Sequence, residues 1–93
     1  MAMSLAERAE QLNAEQRLLE KADQGIDDGW RRIRDQEDRV RELMAGGQDT
    51  RQAQRLVDLL KQTLIEWEHH RVLIEQRVNY LRQDVETRSP EAG

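Results

Sequence analysis

Glu66 and His69 are the residue pair in this sequence whose types and spacing come nearest to a chemical site. A Glu-x-x-His step on a helix is the spacing by which carboxylate-bridged di-iron bundles hold metal between their helices. Such a centre also needs further inward carboxylates and a second such motif, and one short match in a Glu-rich chain is weak evidence for it. The heptad pattern turns Trp67 inward, and Glu66 and His69 with it outward. His69 and His70 are neighbours, so one helix cannot easily aim both at one ion. Cysteine is absent, which removes thiolate ligands, disulfides and thiol nucleophiles. No glycine-rich phosphate loop follows a strand, and no nucleophile elbow is present. The expectation is a protein without metal, cofactor, small-molecule substrate or catalytic residues.

Arginine offers a second kind of chemistry, the binding of phosphates. Arg31, Arg32, Arg34, Arg39 and Arg41 approach Arg51 and Arg55 in the sequence around the midpoint. Asp35, Glu37, Asp38 and Glu42 are interleaved with them and would repel a nucleic acid. The net charge of −4 argues the same way. Charge is unevenly spread: residues 1–28 carry seven acidic and three basic groups, residues 30–61 six acidic and eight basic.

The elements that carry these residues are legible from glycine placement and hydrophobic period. Gly46-Gly47-Gln48-Asp49-Thr50 divides two long segments of nearly equal length. Paired glycines suit the left-handed residues that end a helix. Asp49 suits the N-cap of the next helix, with Gln52 completing a capping box. Ser4 and Glu7 form another such box at the start of the first helix. The reading is one all-α domain over 1–93: helix 4–45, turn 46–49, helix 50–88, and a frayed tail 89–93 after the Ser89-Pro90 stop.

From Ser4 onward, Leu5, Leu12, Leu19, Ile26, Ile33 and Val40 recur every seven residues, marking a seam. Arg8, Glu15, Ala22, Gly29, Gln36 and Leu43 form its weaker partner row. In the second helix Val57, Leu64, Arg71, Val78 and Val85 alternate with Ala53, Leu60, Trp67, Ile74 and Leu81. An antiparallel fold about Gly47 pairs positions whose numbers add to 97 or 96, setting Gly29 against Trp67 and Ala22 against Ile74. Arg71 meets Ile26 and is expected to extend past the seam towards acidic neighbours. Gly25 and Gly29 cost the first helix about 1 kcal/mol each relative to alanine. A break there would give a three-helix bundle. The unbroken seven-residue stride from Leu19 to Ile33 favours a continuous helix and a rod about 60 Å long.

With 37% charged and 3% aromatic residues, the composition is that of long helices and coiled coils. No apolar run is long enough to span a membrane. Met1 to Ser4 lead directly into charged residues without a secretory pattern, so the cytoplasm is expected.

One stripe is left over. Leu56, Leu59, Thr63, Glu66, His70, Leu73, Arg77 and Tyr80 follow three- and four-residue steps on another face of the second helix, and Trp30 and Met44 lie beside the seam on the first. A half-apolar stripe of this kind seeks a partner. The expected partner is a second copy, giving an antiparallel four-helix bundle. A helix of another protein is the alternative occupant. The function expected is a self-associating interaction or scaffold module. A small regulatory protein, antitoxin-like or nucleic-acid-associated, is the second reading.

Ile26, Gly29, Arg32-Ile33, Gln36, Val40, Leu43, Gly47-Gln48-Asp49-Thr50, Ala53, Leu60, Leu64 and His70-Arg71 resemble an uncharacterised family of short helical proteins from alphaproteobacteria. There a Gly-x-Asp-Thr turn joins two amphipathic helices. The likeness covers about residues 22–78. It implies the hairpin and a bacterial cytoplasmic setting, and brings no activity with it.

Overall fold

The computed structural model describes residues 3–88 as two helices, α1 (Leu5–Ala45) and α2 (Arg51–Arg88), laid antiparallel. The Ser89-Pro90 stop and the tail expected after it lie outside the described residues.

Local chemistry sets the ends. Ser4 is extended, and its hydroxyl accepts the Glu7 N–H at 3.1 Å. This satisfies one of the donors that a helix start leaves without a partner. α1 ends where Gly47 turns left-handed at φ 70°. There the Gln48 N–H reaches the Leu43 carbonyl at 2.9 Å and the Gly47 N–H reaches that of Met44 at 3.0 Å, closing a Schellman motif. Thr50, not the expected Asp49, is the N-cap of α2, its carbonyl accepting the Gln54 N–H at 2.8 Å, and Asp49 one residue earlier accepts the Arg51 N–H at 3.0 Å. That spacing of two residues differs from the three-residue capping box expected with Gln52, because α2 begins at Arg51 rather than at Thr50. The Asp49 carboxylate also takes the Arg51 guanidinium at 2.8 Å. This hydrogen bond holds Asp49 below the usual carboxylate range and Arg51 above its ordinary value.

α1 runs without interruption through Gly25 and Gly29. The three-helix alternative is therefore absent, and the rod extends 69 × 23 × 15 Å. Its radius of gyration, 20.5 Å, compares with about 12 Å for a compact chain of this length.

The seam follows the heptads. Every residue of both rows from Arg8 to Val85 is buried or half-buried, apart from Trp67. Ala22, Ile74 and Val78 form its tightest cluster, flanked by Leu12 and Leu19. Arg71 leaves the seam as expected, bridging Asp23 on α1 and Glu75 on its own helix. The bond to Asp23 is the first cause that holds its guanidinium pKa above the ordinary value.

The register departs from the expected one. A Cβ on Gly29 would stand 3.1 Å from Cδ1 of Leu64, whereas Trp67 lies over Gly25, 3.5 Å from where its Cβ would be. Arg8 pairs with Asp84, and Arg77 Nη1 lies 3.7 Å from Glu15 Oε1. These position numbers add to 92 or 93, about half a heptad from like-on-like opposition. The physical reason is interlocking: a knob enters the hole between residues of the facing helix instead of meeting its counterpart head-on. Ala22 and Ile74 remain neighbours within this packing.

Candidate interaction surface

A two-helix rod leaves the outer half of each helix uncovered, so the question is where apolar side chains stay outside. On α2, Leu56, Leu59, Thr63, Glu66, His70, Leu73, Arg77 and Tyr80 are all exposed. Leu59 retains 55% of its accessible surface and Tyr80 66%. Their alternating steps of three and four residues put them on one face of α2, half apolar and half polar, that α1 does not cover. The Thr63 hydroxyl is already satisfied, donating to the Leu59 carbonyl at 3.0 Å. Thr63 can therefore be covered without losing a hydrogen bond.

The seam's edge beside this stripe is recessed. Gly25 and Gly29 of α1 and Leu60, Thr63, Leu64 and Trp67 of α2 line a groove of about 230 Å³, with Asp28 and Arg32 also on its wall. The glycines create it: without Cβ atoms, α1 offers nothing to fill the space below the indole. Beside it Thr63, Glu66, Trp67 and His70 border a shallower depression. There Trp67 and His70 meet edge to face, their ring centroids 6.5 Å apart. Such a pairing holds both rings in place.

Two of the sequence-derived interface residues lie elsewhere. The seam of α1 is flanked by two rows. One, Gln11, Leu18, Gly25 and Arg32, shares the stripe's side, because Gly25 and Arg32 border the groove with Thr63. The other carries Asp23 and Glu37, which pair across the opposite edge with Arg71 and Lys61. Trp30 and Met44 are one heptad from these acids and belong to that opposite edge. Trp30 is exposed and borders a cleft with Asp27, Arg31 and Arg34. The heptad flank, not proximity to the seam, decides which face a residue joins.

That rule brings in Leu18 and Trp67 instead. Leu18 is 46% exposed and Trp67 39%. Both lie on the stripe's side, and seven-residue steps from Gly25 would have found Leu18 in the sequence.

The Glu66-x-x-His69 pair does not converge on anything. Glu66 borders the depression, His69 is exposed, and no group of three or more metal-binding side chains gathers among the described residues. Nor is any helix among those residues long and apolar enough to cross a membrane. The arginines around the turn lie mostly in local ion pairs: Arg31 with Asp28, Arg39 with Glu42, Arg41 with Asp38 and Arg51 with Asp49. No family model, no curated protein and no solved structure matches this chain.

Proposed function

We propose that this chain is a non-enzymatic interaction module that self-associates through its uncovered helical face and acts as a cytoplasmic scaffold. The observation that supports this reading is the stripe on α2, eight exposed residues in unbroken heptad step over more than half the helix. Its apolar members Leu56, Leu59, Leu73 and Tyr80 share that one face, whereas Ile65 and Val72 are exposed on another. A single seam is also thin support for a rod of this length. Ordering each residue costs about 1–2 kcal/mol of backbone entropy, and a hairpin covers only one side of each helix. Covering the stripe adds apolar burial at about 25 cal/mol per Å².

Light scattering on the purified full chain across micromolar concentrations tests the reading. Twice the chain mass of 11.0 kDa is expected, and a constant mass of one chain overturns self-association. The regulatory reading, a nucleic-acid-associated factor, draws only on the arginines near the turn. Their local carboxylate partners favour the scaffold.

A further inference from the structure

We infer that the occupant of the α2 face is a second copy of this chain, running antiparallel, with Leu56 against Tyr80 and Glu66 against His70 of the other copy. The inference rests on the self-association proposed above and adds its orientation and register.

Charge selects the orientation. Residues 1–28, at the open end, carry an excess of acid, and residues 30–61, around the turn, an excess of base. Copies stacked antiparallel set the acidic end of each against the basic end of the other. Stacked parallel, they would set like against like, which costs association.

Interlocking selects the register. Knobs of an antiparallel seam alternate between its two heptad rows, as Gly29 and Leu64 do within the hairpin. On the stripe this pairs Leu56 with Tyr80, Leu59 with Arg77, Thr63 with Leu73 and Glu66 with His70, each occurring twice about a twofold axis. All eight residues are then used. Sliding by one heptad would set Glu66 against Arg77 but turn Leu56 and Leu59 onto the polar Thr87 and Asp84. In the favoured register the axis passes level with Glu68, beside the depression bordered by Thr63, Glu66, Trp67 and His70. Each Glu66 carboxylate accepts from the imidazole of the other copy's His70. The polar pair thereby finds partners in the layer where both side chains lose water, and Arg77 extends past Leu59 to solvent.

Disulfide trapping in the full chain tests this, and the absence of native cysteine leaves no background. Leu56 and Tyr80 are both exposed, so the variant L56C/Y80C keeps its fold, which circular dichroism verifies. The two positions are separated by about 36 Å along one helix at 1.5 Å per residue, so no disulfide can form within a chain. Oxidation with copper phenanthroline is expected to convert most of L56C/Y80C to a covalent dimer and to leave T63C/Y80C largely uncrosslinked. Efficient trapping of T63C/Y80C instead overturns the register. Trapping of L56C alone overturns the antiparallel orientation, and a ladder of higher species overturns the closed twofold. Each of those results leaves self-association standing. A native chain that stays at one chain mass in light scattering overturns both.

Discussion

The indole of Trp67 lies over Gly25, its Cε3 and Cζ3 atoms 3.5 Å from where a Cβ would stand. Gly29, one turn further on, faces Leu64 instead, at 3.1 Å. The two glycines therefore have different neighbours, and each leaves a different amount of room. Together they recess one edge of the seam, beside the stripe that α1 does not cover.

Alanine at Gly25 is expected to stabilise the protein by about 1 kcal/mol. The methyl meets the indole at an ordinary contact distance and replaces the poorest non-proline helix former. At Gly29 the same change yields less, because Cδ1 of Leu64 must give way. Leucine at Gly29 should destabilise by about 1–3 kcal/mol through overpacking. Thermal melts of the three variants check the order, and a Gly29→Leu protein that melts higher than the parent would contradict the packing.

Glu15 contradicts its neighbours along the seam. It retains only 8% of its surface, and its Oε2 is buried without a hydrogen-bond partner among the described residues. Arg77 is 3.7 Å from the other oxygen but largely exposed, so the attraction is screened while the desolvation is not. Glu15→Leu is expected to raise stability by about 1–2 kcal/mol, because it removes that cost and leaves Arg77 in water. Urea titration measures it. A fall in the midpoint would show that the carboxylate has a stabilising role.

What the sequence made legible was whatever depends on a single helix: the Ser4 cap, the glycine stop, the unbroken stride from Leu5 to Val40, and the seam rows of both arms. Relations between helices were harder. Period alone says that Gly29 and Trp67 share the seam. It does not say whether like rows oppose or interlock, and that choice moves the tryptophan from Gly29 to Gly25. Flanks were harder still. Trp30 and Leu18 are both adjacent to the seam in sequence pattern, yet on opposite edges of the rod. Only the cross-helix pairs of Asp23 and Glu37 reveal which edge each joins.

Acid should act on the turn through Asp49. Its pKa is lowered, first by the Arg51 guanidinium and then by the Arg51 N–H. The stabilisation is therefore present above the carboxylate's unfolded value and is lost as pH falls through the lower folded value. Asp49→Ala removes both interactions, so the gap in melting temperature between variant and parent is expected at pH 7 and should close in strong acid. A gap unchanged from neutral pH to pH 2 would mean that the ionised carboxylate does not contribute.

Leu59 and Leu73 separate the two faces of α2 by experiment. Both are exposed in the hairpin, whereas Leu64 is 4% exposed at the heart of the seam. A glutamate at Leu64 buries an unpaired charge and should unfold the chain. Glutamates at Leu59 and Leu73 instead remain solvated in a single hairpin and lose water only when a second copy docks. Leu59→Glu with Leu73→Glu is therefore expected to preserve the helical circular dichroism signal while shifting the mass in light scattering from two chains to one. A glutamate at position 59 meets Arg77 of the other copy, so dissociation falls mainly on the two carboxylates placed against Thr63 at position 73 and should be about tenfold or more, at about 1.4 kcal/mol per factor of ten. A dimer that survives the double change, with its helix content intact, would put the contact off this stripe, where Trp30, Met44, Ile65 and Val72 are exposed.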